Sequence, residues 1–122
     1  MNAYERDYGI VKHILGYCDQ IDEAIARFGD DERLFVSDRV YQNAVAMYLL
    51  QIGELAGHFS DEYRTAHPDI PWRQIKALRN IIAQNYGSVD AETTWEIVMD
   101  DTPALKEFCE KEAQRYASSA AE

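Results

Sequence analysis

Residues 4–28, YERDYGIVKHILGYCDQIDEAIARF, decide the fold class, because Tyr4, Tyr8, Val11, Leu15, Cys18, Ile21, Ile25 and Phe28 recur at steps of three and four. That is the period of an α-helix with one face turned to a core. The spacing predicts a first helix from Tyr4 to Phe28, ended near Gly29.

After the polar break Gly29-Asp30-Asp31-Glu32, apolar residues return on two sides of a second helix. Val40, Ala44, Met47 and Leu55 share one side, and Tyr41, Val45, Tyr48 and Ile52 share another. A helix apolar on two sides is either central in its bundle or also forms an interface. Ser37 or Asp38 can cap it, Gly53 and Gly57 thin it towards its end, and Ser60-Asp61-Glu62 can open a short continuation to His67-Pro68.

A third helix is expected from Asp69-Ile70-Pro71, since proline suits a first helical turn and acidic residues suit that end of the dipole. Gly87 is placed to stop it, and Asp90 to cap a fourth. The fourth carries the stripe Trp95, Val98, Leu105, Phe108 and Tyr116, with a kink expected at Asp101-Thr102-Pro103. Short connections between four helices imply an all-α, antiparallel four-helix bundle. It forms a single domain over residues 1–117, with 118–122 a frayed tail.

Composition agrees and excludes several classes. With 122 residues, three prolines and six glycines, the chain has length for one core and long stretches free of helix breakers. No apolar run reaches the ~20 residues of a membrane span, and the amino terminus lacks the basic and apolar segments of a signal peptide, which points to the cytoplasm. Cys18 and Cys109 fall among apolar helical positions and read as buried free thiols. Three histidines and two cysteines lack metal-ligand spacing and no glycine-rich phosphate loop exists, so no metal or other cofactor is expected.

Twelve Lys and Arg against 22 Asp and Glu give a net charge of −10, which repels a phosphate backbone at long range. One stretch departs from this. Between Arg64 and Gly87 stand four cations and only one acid, Asp69. On the third helix Ile75, Leu78, Ile82 and Tyr86 form the core stripe with Arg79 at its edge, while Arg73, Lys76, Asn80 and Gln84 share the adjoining flank. Such a flank is either a local phosphate site or a solvated face whose Arg79 pairs with a neighbouring carboxylate.

The segments Phe35-Val36-Ser37-Asp38, Gln51-Ile52-Gly53-Glu54-Leu55-Ala56, Ile70-Pro71-Trp72, Leu78-Arg79-Asn80 and Asn85-Tyr86-Gly87-Ser88-Val89-Asp90, then Trp95 and Asp101-Thr102-Pro103-Ala104-Leu105, resemble HEPN-domain proteins of the HepT-like toxin type in order and spacing. The similarity runs from about Leu34 to Phe108. It implies a homodimer with two motifs facing each other, cutting RNA without metal through attack of a ribose 2′-hydroxyl on the neighbouring phosphate. It also implies a nucleotidyltransferase antitoxin of the MNT type as partner. The family motif is arginine, a polar residue, variable positions, histidine and, two residues on, tyrosine. Here it reads Arg79-Asn80-Ile81-Ile82-Ala83-Gln84-Asn85-Tyr86, with Gln84 at the histidine position.

Arginine offers a fixed fork of donors to a phosphate, and histidine can take and return a proton near neutral pH. Glutamine cannot shuttle a proton, and losing a general acid or base costs ~10²- to 10⁴-fold in rate. The resemblance therefore implies a ribonuclease scaffold impaired by Gln84, the alternative being a non-catalytic dimer that binds a nucleotidyltransferase or RNA. Gln84 fits either a natural member that has abandoned catalysis or an inactivated toxin, the intact surroundings favouring the second. Arg73 and Lys76 are the expected RNA contacts. Glu54 is read as orienting Arg79, a plain core-edge salt bridge explaining it equally well. Tyr86 finishes the apolar stripe and, by the resemblance, is the tyrosine a partner adenylylates. His13, His58 and His67 read as structural or exposed.

Overall fold

The computed structural model describes residues 3–73, 75, 76 and 90–121, and among these every regular element is a helix. Helix α1 spans Ala3–Phe28, α2 Glu32–Ser37, α3 Arg39–Ala56, α4 Asp61–Ala66 and α5 Ala91–Ala121. A helical turn also opens after Pro71, whose carbonyl accepts the Ile75 N–H at 3.1 Å. Among the described residues no helix is long and apolar enough to cross a membrane.

Helix α1 lies between α3 and α5, which explains why its buried face is wider than one stripe. Val11, Cys18 and Ile21 are buried as their spacing predicts, but Ile10, Ile14, Ala24 and Asp7 are buried too. Towards α5, Tyr8 stacks on Tyr116 with ring centroids 4.8 Å apart, and Lys106 binds Asp22 at 2.6 Å and Asp19 at 3.0 Å. Moving up α1 thus means moving down α5. Towards α3, Tyr17 meets Tyr48 and Phe28 stacks on Tyr41 at 5.0 Å, so α3 is antiparallel to α1 as well.

Helix α2 is an addition to the elements read from the sequence, where its six residues are too few to display a period. Asp31 caps it by accepting the Arg33 N–H at 2.8 Å, and it buries Phe35 completely, edge-on to Tyr41 and 5.2 Å from Trp95. Of the two caps considered for α3, Asp38 serves, accepting from Val40 N–H at 2.9 Å and Tyr41 N–H at 3.2 Å, while Ser37 closes α2. The Gln42 amide then donates to the carbonyls of Phe35 and Val36 at the end of α2, the first of which also accepts the Asp38 N–H.

Gly29 makes the turn after α1 with φ 119°, a left-handed conformation in which a Cβ would collide with the Leu34 side chain. Its carbonyl accepts the Tyr41 hydroxyl at 3.0 Å, tying the turn to the core. The two apolar sides of α3 part company here. Tyr41, Val45 and Ile52 are buried and Tyr48 half-buried, whereas on the other side Val40 is 64% and Met47 41% exposed, with Ala44 and Leu55 half-buried; Leu34 and Val36 of α2 are exposed as well.

Asp90 caps α5 as its position suggests, accepting from the Glu92 N–H at 3.1 Å and the Thr93 hydroxyl at 2.7 Å. Pro103 does not end this helix. Helical backbone continues on both sides and takes in residues 118–121. The Thr102 hydroxyl donates to the Ile97 carbonyl one turn back. Cys18 and Cys109 are free, fully buried, and pushed up by burial to about 12, which keeps them as inert thiols.

Two substitutions separate packing from hydrogen bonding in this core. Ile14→Ala removes a fully buried side chain from α1 and is expected to cost about 3 kcal/mol, and Tyr41→Phe, which loses only the hydroxyl to Gly29, about 1 kcal/mol. Urea unfolding followed by circular dichroism measures both.

Candidate functional site

Arg73, Lys76 and Glu54 fall within the described residues, and Arg79, Asn80, Gln84 and Tyr86 lie outside them. Arg73 and Lys76 stand on the helical turn that follows Pro71, and both are exposed. Neither makes an ion pair among the described residues. Arg6 and Lys12 on α1 share this trait among the described residues, whereas Arg27, Arg33, Arg64, Lys106, Lys111 and Arg115 all bind carboxylates. Glu54 is exposed near the end of α3, with His58 Nε2 at 3.6 Å. The part of its reading that involves Arg79 lies outside the described residues.

The turn that carries the two cations rests on an aromatic cluster. Trp72 is half-buried, 5.2 Å from Phe59 and 6.3 Å from both Tyr63 and Phe108, all crossed near edge to face. Its indole N–H donates to the His67 carbonyl at 3.0 Å. Tyr63 and His67 stand one turn apart on α4 and its cap, so their rings pack at 4.5 Å, and His67 continues onto Phe108 at 5.1 Å.

Beneath these rings lies a buried carboxylate that the sequence reading did not single out. Glu112 on α5 is 7% exposed, and it accepts the Tyr63 hydroxyl at 2.7 Å and the two-pronged Arg115 guanidinium at 3.0 and 3.1 Å. His67 Nε2 is 3.5 Å from the same carboxylate. The signal for it was present, because Glu112 sits four residues after Phe108 and four before Tyr116, on the apolar stripe. A second buried acid, Asp7, accepts both the backbone N–H and the hydroxyl of Ser60, the cap of α4. Of the three histidines, His67 is therefore structural, while His13 and His58 are exposed.

Burial alone would push the Glu112 carboxyl up, but the Arg115 and Tyr63 hydrogen bonds outweigh it and hold the group below the usual carboxylate range. Burial and then the Glu112 contact push the Tyr63 hydroxyl far up, so it remains a donor. A carboxyl more acidic folded than unfolded stabilises the fold fully above its unfolded value of about 4.3, and that contribution fades as pH falls through the lower folded value. The urea midpoint should accordingly fall between about pH 7 and about pH 3.5, and Glu112→Gln should reduce this fall while lowering the midpoint at neutral pH.

Residues 14–112 match the model of the family described as ribonuclease HepT-like. A protein of Thermococcus cleftensis named as a probable ribonuclease HepT is 33% identical over 100 residues, covering 78% of this chain and 91% of that one. A protein of Caldanaerobacter subterraneus subsp. tengcongensis, named as a candidate RNase, is 29% identical over 106 residues, covering 84% of this chain and 93% of its own length. Another candidate RNase, of Methanocaldococcus jannaschii, is 31% identical over 80 residues, covering 66% and 73%. No solved structure matches the chain. The all-helical bundle and the match over most of its length make this chain a member of the HepT-like ribonuclease family.

Proposed function

We propose that this chain is the toxin component of a toxin–antitoxin pair, a metal-independent HEPN endoribonuclease scaffold whose cutting is impaired by Gln84. The observation that carries the reading is the family match over residues 14–112, which takes in the motif positions 79–86. Arg73 and Lys76 support it as two exposed cations with no carboxylate among the described residues to neutralise them. They suit phosphate contacts beside the motif.

In the reaction the ribose 2′-oxygen bonds to phosphorus and the 5′-oxygen leaves with a proton. Arg79 stabilises the charge gathering on the phosphate, with Asn80 and Tyr86 as hydrogen-bonding neighbours. A histidine at position 84 would move the proton. Gln84 can only hydrogen-bond, so substrate is held but the step is slowed by ~10²- to 10⁴-fold. A homodimer brings two motifs together. The exposed apolar residues Val40 and Met47 of α3, with Leu34 and Val36 of α2, support a surface covered by a second copy. An MNT-type nucleotidyltransferase is the antitoxin partner, and Tyr86 the tyrosine it adenylylates.

Gln84 and the net charge of −10 favour a second reading, a dimer that binds a nucleotidyltransferase or RNA without cutting. Comparing the parent chain with Gln84→His, each under a tightly controlled promoter, separates the two. Growth arrest and cleavage of total or transfer RNA by the histidine form alone support the ribonuclease toxin, and no cleavage by either supports the binding dimer. For the assembly, Val40→Glu combined with Met47→Glu should shift the protein from dimer to monomer in light scattering after gel filtration. An unchanged mass would remove this surface from the interface.

A further inference from the structure

Among the described residues no carboxylate holds the Arg73 or Lys76 side chain, and the backbone of the turn sets where both side chains begin. That backbone hangs on His67. Its N–H donates to the Arg64 carbonyl at the end of α4, and its carbonyl accepts both the Ile70 N–H at 3.2 Å and the Trp72 indole at 3.0 Å. The Trp72 N–H returns to the Ile70 carbonyl at 2.8 Å, and the first helical bond follows from Ile75 to Pro71. The His67 ring lies against Tyr63 and Phe108, with Nε2 at 3.5 Å from Glu112. Glu112 is in turn fixed by Tyr63 and Arg115.

We propose that His67 and Glu112 form a latch that fastens the 67–72 turn to α5 and so positions Arg73 and Lys76 for the RNA backbone. The assignment rests on the reading that these two cations meet RNA. Both latch residues are positioning residues, acting through the turn without touching the nucleic acid. A buried carboxylate is a costly way to add stability, and apolar groups of similar volume often do as well. What Glu112 supplies here is direction, because Tyr63, His67 and Arg115 converge on one carboxylate and the His67 carbonyl then fixes where the next helical turn starts.

The test uses the full chain and a fluorescently labelled single-stranded oligouridylate, titrated at several salt concentrations, together with the two indole N–H signals in nitrogen-15 NMR spectra. Reversing Arg73 and Lys76 together should weaken binding and flatten its salt dependence, by roughly 0.7 in slope for each phosphate no longer neutralised. His67→Ala leaves every charge on the turn in place. It should nonetheless shift the Trp72 indole signal, speed its exchange by about tenfold or more, and lower the salt slope towards that of the charge-reversed chain, while the Trp95 signal and helical content stay as in the parent. Glu112→Gln, which keeps the side-chain volume, should produce the same pattern in milder form. An unaltered Trp72 signal in both variants overturns the latch. A shifted Trp72 signal with an unaltered salt slope shows a packing role only and overturns the positioning role. If the parent binds no RNA, or the charge-reversed chain binds as the parent does, the reading of RNA at this turn fails, and the proposal falls with it whatever Trp72 does.

Discussion

Helix α1 has to bury two flanks at once, and the remaining helices are arranged by that requirement. Ile10, Val11, Ile14, Cys18, Ile21 and Ala24 are all withdrawn from water. Burial contributes about 1.5–3 kcal/mol for each large aliphatic side chain, so α1 alone cannot be stable without partners on both sides. Helices α3 and α5 supply them, both antiparallel to α1. The short helices α2 and α4 then close the two ends, α2 with Phe35 against Tyr41 and Trp95, α4 with Tyr63 against Phe59 and Phe108.

The periodic positions made much of this legible. The stripes on α1, α3 and α5, the caps Ser60 and Asp90, and the start after Pro71 follow from apolar period and capping chemistry that act locally. Width of burial did not follow, because a residue such as Asp7 or Ile14 is buried only once a second helix covers its flank. Helix α2 was hidden for another reason. Its stability comes from Phe35 packing on Tyr41 of α3 and Trp95 of α5 and from Gln42 closing its carbonyls, neither of which leaves a pattern in six residues.

At the candidate site the sequence pointed to the cations and passed over their support. Arg73 and Lys76 stand out by charge in an acidic chain, and the motif from Arg79 to Tyr86 by resemblance alone. Glu112 looks like one more acid on a helix rich in acids until its place on the stripe between Phe108 and Tyr116 is noticed. His67 could be read only as the end of a helix before proline, since what gives it a role is a carboxylate 45 positions later in the chain.

The two buried acids also explain why α4, with only six residues, keeps a fixed place. Asp7 holds the cap Ser60 at its start, and Glu112 holds Tyr63 within it and His67 at its end, so α4 is tied to α1 at one end and to α5 at the other. A helix this short has little stability of its own. Its orientation is inherited from the long helices through these contacts and passed on through the His67 carbonyl to the turn bearing Arg73 and Lys76. For a chain of charge −10 this matters, because its net charge repels a polyanion at long range and any grip on phosphate must come from a few cations at short range. Cations on a freely moving turn would lose ordering entropy on meeting a phosphate, whereas cations on a turn already registered to the bundle arrive with that entropy largely settled by the fold.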